Sequence, residues 1–351
     1  MAVPAPRPRA IATWLLLIAA LVFAMVVVGG ITRLTESGLS ITEWKPVTGA
    51  IPPLTAAQWA AEFDKYKHSS QYVLMNQGMT LAAFKHIYFW EYFHRLVGRL
   101  LGVVFALPMI WFFVRRAVPK GYGMRLVILF ILGGAQGAIG WLMVKSGLTD
   151  RVNVQPAMLA AHLCMALALL AAIVWTACDM LRLGREPLAP QAPRARLHLP
   201  AFLAFLVLFI QIFLGAITAG LRAGYVSNTW PLMNDHLVPE GISWWGSFWM
   251  TLTSDPYLIH FLHRWWAWAA LAAMIWLARQ AKRAGDRAAS IALNALAGIQ
   301  VLLGIATVLH NIALPLAALH QATGALLLAA ATWAMHSAGR TRPAWAPTAA
   351  R

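Results

Sequence analysis

The chain has 351 residues, 60% of them hydrophobic and 11% charged, against about 25% charged in an ordinary soluble domain. That composition, with a mean hydropathy of +0.64, excludes a soluble enzyme, a disordered chain and a secreted disulfide scaffold. The net charge is +16, but the basic residues sit in short segments between long apolar runs, so no nucleic-acid face is expected.

A helix needs about 20 apolar residues to cross a bilayer. In chain order eight stretches qualify: 11–31, 87–114, 125–144, 156–178, 199–220, 257–278, 289–310 and 314–336. The first follows Arg7 and Arg9 but is too long for a signal peptide. It ends in Gly29-Gly30-Ile31-Thr32-Arg33 rather than a cleavage site, so it reads as an uncleaved span. Two connections are long, 34–86 and 221–256. Trp244, Trp245 and Trp249 in the second fit an interfacial belt on the membrane surface. Cys164 and Cys178 share one apolar run, which argues against a disulfide framework or a cysteine-ligated metal.

Charge sets the orientation. With the N-terminus cytoplasmic, the inner segments hold 17 Lys and Arg, the outer segments 8, and Arg95, Arg99 and Arg264 lie within spans. The positive-inside rule then puts both termini in the cytoplasm. The expected fold is an all-α integral membrane protein with eight transmembrane helices in two pseudo-repeated four-helix bundles. Residues 1–10 form a cytoplasmic tail, 11–185 the first half with outer loop 34–86, and 186–198 a linker. Residues 199–336 form the second half with outer loop 221–256, and 337–351 a second tail.

The repeat rests on shared order. Glu91-Tyr92-Phe93-His94-Arg95 in span 2 matches His260-Phe261-Leu262-His263-Arg264 in span 6. His162 opens span 4 and His320 opens span 8. Gly30-Ile31-Thr32 ends span 1, and Gly215-Ala216-Ile217-Thr218 nears the end of span 5. Gln136 to Gly140 in span 3 resembles Gln300 to Gly304 in span 7. An even number of helices per half gives a parallel duplication, as internal repeats in membrane proteins often do.

Four of the 11 histidines, His94, His162, His263 and His320, recur at matching positions. Each lies several residues below the outer end of its span, roughly 8–12 Å deep at 1.5 Å per residue. An intramembrane histidine is costly unless it serves a function, and the bland alternative is a helix–helix hydrogen bond. Zinc usually takes more than two protein ligands. A heme iron takes two axial imidazoles, and a four-helix core is a usual place for it. Two bis-histidine heme sites, one per half, follow. His68, His86, His198, His236, His310 and His336 read as interfacial or solvated. The glycines Gly98, Gly102, Gly133, Gly134, Gly137 and Gly140 read as close helix packing.

The halves differ at Glu91, one turn before His94 and the only acid within a predicted span. Either it forms a salt bridge with Arg95 or a loop lysine, or it is a carboxylate beside the heme edge of one site only. Arg95 and Arg264 each follow a ligand histidine. They could pair heme propionates, since Arg suits bidentate carboxylate recognition, or lipid headgroups.

At this point the chain resembles a known family. Gly29-Gly30-Ile31-Thr32-Arg33-Leu34-Thr35-Glu36-Ser37-Gly38-Leu39-Ser40, followed by Ile41-Thr42-Glu43-Trp44-Lys45-Pro46, looks like the first outer loop of heme A synthases. Glu91 to Arg95, His263-Arg264-Trp265 and His320-Gln321-Ala322-Thr323-Gly324 look like later signatures, so the resemblance covers about residues 12–336. It implies oxidation of the C8 methyl of heme O, through heme I and a gem-diol, to the formyl of heme A. It implies a heme b cofactor on His263 and His320, substrate heme O on His94 and His162, and a catalytic role for Glu91. It implies a bacterial inner-membrane location, handover from heme O synthase (the protoheme farnesyltransferase) and an unidentified electron acceptor or donor, with lipid all round. Homo-oligomerisation stays open. The outer loops carry no cysteine pair, so the chain resembles the cysteine-free branch. A dihaem b-type cytochrome fed by quinol is the rival reading. A transporter fits less well, since the odd polar residues avoid the midplane.

Overall fold

The computed structural model describes residues 6–45, 48–148, 151–185 and 195–340. Pro46 of the first-loop run, Arg194, Arg342 and Arg351 of the inner set, and most of the linker lie outside them. Among the described residues there are eleven α-helices and no strand. They are α1 (Pro8–Leu34), α2 (Ala56–Lys67), α3 (Ser70–Met75), α4 (Leu81–Val114), α5 (Gly123–Leu148), α6 (Pro156–Arg185), α7 (Leu199–Gly220), α8 (Phe248–Ser254), α9 (Pro256–Arg283), α10 (Arg287–Leu309) and α11 (Leu314–Ala338).

Seven of these, α1, α4, α5, α6, α7, α10 and α11, are long and apolar enough to cross a membrane, and the chain is a multi-pass membrane protein. The predicted sixth span became α9, a 28-residue helix. It falls short on apolarity because it carries His260, His263 and Arg264 and ends in Arg279, Lys282 and Arg283. Most long helices overrun their apolar stretches; α4 begins six residues before its predicted span. Backbone hydrogen bonding continues into polar sequence until a cap or turn stops it.

Side-chain caps set several starts. Thr80 accepts from Ala83 N at the head of α4. Asp255 accepts from Leu258 N at α9, with Pro256 in the first turn, and Asp286 accepts from Ala289 N at α10. Each satisfies an orphan amide of the first turn. Both long connections contain helices that hydropathy alone did not reveal. In the first, Thr55 and Gln58 form a capping box on α2. Phe63 and Tyr66 then pack on Phe84, Ile87 and Tyr88 of α4, fixing the connection over the bundle.

One buried apolar cluster draws on all eight long helices at the end of the bundle that carries the termini. A second, smaller cluster of residues from α6, α7, α8 and α9, with Ala223 just after α7, lies nearer the opposite end. The four repeated histidines lie toward that opposite end, beyond the main core.

Candidate heme site

Each of the four histidines meets a glycine on a neighbouring helix. A methyl group at Gly215 of α7 would stand 2.8 Å from Cε1 of His263 on α9, and one at Gly304 of α10 would stand 3.0 Å from Cε1 of His320 on α11. A methyl at Gly140 of α5 would come within 2.7 Å of His162 Cε1 on α6, and one at Gly29 of α1 within 3.0 Å of His94 Nε2 on α4. At Gly140 and Gly215 a real Cβ would force a displacement, and at Gly29 and Gly304 it would be a tight contact, so these glycines are notches that admit imidazoles. Gly29, not Gly30, is therefore the partner of Gly215. Thr32 and Thr218 follow in the same register, reaching the carbonyls of Trp90 and Ile259, each four residues before the histidine.

The His263 and His320 ring centres are 6.4 Å apart and perpendicular. A metal–imidazole bond of about 2 Å on each side puts two axial ring centres about 6 Å apart, so the pair fits an iron between them. The rings border a cavity of about 280 Å³, lined also by Gln211, Gln300, Arg33 and Arg222. Nδ1 of each ring is buried without a hydrogen-bond partner. Among the described residues no three His, Cys, Asp or Glu converge on a metal position. Two facing imidazoles suit a metal whose other ligands come from a macrocycle.

Glu91 is 3% exposed. Its Oε2 accepts from Ser40 Oγ at 2.7 Å and from Ile41 N at 2.8 Å, and its Oε1 accepts from Arg95 at 2.6 Å. The salt bridge to Arg95 foreseen as the bland reading is present, and the first connection adds two donors. The matching pair behaves alike: Arg264 Nε donates to His260 Nε2 at 3.0 Å. Both guanidiniums go on to outer-connection carbonyls, Arg95 to Ile41 and Glu43 and Arg264 to Ser227 and Thr229. Beyond Glu91 and His260, their hydrogen-bond partners are carbonyls of the outer connections and, for Arg264, the Ser227 hydroxyl at 3.5 Å. Farther out, Lys45 and Lys65 hydrogen-bond to Glu43 and hold its carboxyl below the usual range.

Three readings need correction. His336 is fully buried, with Nε2 3.0 Å from Asp179 Oδ1, and Arg125 closes on the other oxygen at 2.6 Å. It is not solvated, whereas His68, His86, His198, His236 and His310 are exposed. Asp179 lies within α6, so Glu91 is not the only acid in a crossing helix. A Cβ on Gly102, Gly133, Gly134 or Gly137 would meet nothing within 4 Å, so those glycines do not mark close packing. Sequence reading matched Gln136 with Gln300 but missed Gln211, and it missed Arg33 and Arg222 at the cavity. The glutamine four residues before the notch glycine, at 136, 211 and 300, was the available signal.

The cytochrome oxidase assembly protein family (COX15-CtaA) matches residues 12–332. The heme A synthase of Sphingopyxis alaskensis is 54% identical over 336 residues, 96% of this chain and 94% of that protein. That of Novosphingobium aromaticivorans is 49% identical over 352 residues (97% and 99%), and that of Erythrobacter litoralis 52% over 336 (95% and 98%). On a match that runs through both histidine pairs and Glu91, the chain belongs to the COX15-CtaA family of cytochrome oxidase assembly proteins, to which these heme A synthases are close relatives.

Proposed function

We propose that the protein is a heme A synthase of the bacterial inner membrane, oxidising the C8 methyl of heme O to a formyl group in two hydroxylations. The observation that carries this is the perpendicular His263–His320 pair across a cavity, with a second histidine pair beside the sole glutamate among the long helices' apolar stretches. α9 serves as the eighth span: at 28 residues it is about 42 Å long. Residues 11–185 and 199–336 act as two duplicated halves, with both termini cytoplasmic by the 17-to-8 split of basic residues.

His263 and His320 hold heme b, which supplies one-electron chemistry when bound. His94 and His162 orient substrate heme O. Glu91, held by Ser40, Ile41 N and Arg95, stabilises positive charge developing at the methyl carbon or takes a proton from the attacking water. Arg95 and Arg264 clamp the outer connections above the two sites. Each hydroxylation removes two electrons, so an external acceptor is required. Heme O synthase is the natural donor of so insoluble a substrate.

The test is to extract non-covalent heme from purified protein and identify it by chromatography and mass. Heme b together with heme O, heme I or heme A is the expected result. Heme b alone, with no conversion of added heme O, would favour the dihaem cytochrome. A folded preparation with no heme would end the four-histidine argument.

A further inference from the structure

The cavity beside His263 and His320 has charge of one sign in its wall. Among the described residues that line it, Arg33, Arg222 and Arg264 are cations and none is an acid. The rest of the wall is mostly apolar, so a fitting ligand is itself largely apolar and carries negative charge at one edge. Arg264 is already held by His260 and by carbonyls of the second outer connection. Arg33 and Arg222 are less fully engaged.

The repeat explains how these two come together. Arg33 stands four residues after the notch glycine Gly29, as Ala219 stands four after Gly215; Glu36 and Arg222 each stand seven after. The ends of α1 and α7 are built alike. Glu36 N donates to the Arg33 carbonyl and Arg222 N to the Ala219 carbonyl, each at 3.1 Å. Glu36 and Arg222 are both left-handed, with φ of 56° and 52°, a conformation uncommon for residues other than glycine. The two ends then touch at matching positions. Arg33 Nη2 donates to the carbonyl of Ala219, and Arg222 Nη2 meets Glu36 Oε1 at 2.6 Å and Asn153 Oδ1 at 3.0 Å. Among the described residues the two guanidiniums thus have one carboxylate partner, Glu36, and both are engaged through Nη2 alone. Ala219, which Arg33 reaches, and Arg222 lie about 6 and 10 Å beyond the Gly215 notch along α7, toward the outer connections.

We propose that Arg33 and Arg222 bind the propionate carboxylates of the heme held by His263 and His320, so that Arg33, a residue of the first half, completes the cofactor site of the second. Guanidinium forks match carboxylates in two-point contacts, and two cations with one counter-charge are relieved by a further anion. This deepens the heme reading given above and rests on it. A lipid phosphate offers the same anionic oxygens and is the rival occupant.

The experiment uses the full-length protein in detergent: wild type, Arg33→Gln and Arg222→Gln. The readouts are the propionate bending band in the resonance Raman spectrum, the midpoint potential of the retained heme and its rate of transfer to apomyoglobin. Each variant is expected to shift the band and to lose heme b about tenfold faster. Removing a nearby cation favours the ferric form, and a tenfold gain in ferric over ferrous affinity is a fall of about 59 mV. Wild type stripped by apomyoglobin and refilled with heme b dimethyl ester, which has no carboxylate, should lose the ester about tenfold faster than heme b. The variants should discriminate less between the two. A wild-type band and potential in both variants would overturn the inference. So would equal loss of acid and ester from wild type; less phospholipid copurifying with the variants would then assign the arginines to a lipid headgroup. If the glutamine variants fail to fold, the acid–ester comparison on wild type decides. A wild-type preparation without any heme would instead remove the heme reading itself, and this inference with it.

Discussion

Glu91 is held from three sides, so its charge has a fixed place rather than a freely rotating side chain. Glu91→Gln would set an amide N–H against donors from Ser40 and Ile41 or from Arg95. Heme content per protein should be retained, while conversion of heme O falls by roughly 10²–10⁴-fold, the usual worth of a positioned acid or base. Chromatography of the heme products measures this, and wild-type turnover would take Glu91 out of the reaction. Ser40→Ala removes one donor from the same buried carboxylate, a hydrogen bond worth about 1.5–3 kcal/mol. It should lower both the melting temperature and turnover, the latter less than Glu91→Gln; an unaltered rate would leave Ser40 a purely structural role. Glu91 and the four histidines were legible in the sequence because ionisable groups stand out in apolar runs. His336 was not, because its partner Asp179 lies one residue past the predicted span and 157 positions away along the chain. Gln211 was overlooked because an amide carries no charge to draw notice, although Gln136 and Gln300 stand at matching places in the two halves.

At the scale of the helix, hydropathy located each of the long helices but not its ends or its contacts. Side-chain polarity, not helical length, separates α9 from the other seven. The glycines show the same limit. A one-dimensional pattern groups Gly137 with Gly140, three residues apart on α5. In three dimensions a Cβ at Gly140 would strike His162, and one at Gly137 would meet open space. The contrast is testable with alanine. Gly215→Ala and Gly140→Ala should displace His263 and His162 and change the optical spectrum of the heme bound in the corresponding half. Gly137→Ala should leave spectra unaltered and add up to about 1 kcal/mol of helix propensity where α5 is exposed. Equal effects from Gly137→Ala and Gly140→Ala would refute the notch assignment.

Across the whole molecule, the chemistry and the stability lie at opposite ends of the bundle. The main apolar core spans both halves near the termini, and Asp179 of α6 binds them together through Arg125 of α5 and His336 of α11. Gln321 of α11 reaches the carbonyl of Val26 in α1, and Arg222 pairs with Glu36 at 2.6 Å. The two halves expected from the sequence would therefore not be independent units. Taking one partner from a buried ionic cluster leaves the others uncompensated, at a cost of about 3–5 kcal/mol. Asp179→Asn should thus lower the melting temperature of the whole protein in detergent while the heme spectrum of the fraction that stays folded matches wild type. The same continuity governs what happens when the chain is divided between residues 190 and 195. Neither half alone can bury the faces of α1, α6, α7 and α11 that the other covers. Each expressed singly should aggregate, and the two expressed together should copurify with heme. A second half that folds alone and holds heme on His263 and His320 would show that the shared core is dispensable, and that the two sites were joined for transfer between them rather than for stability.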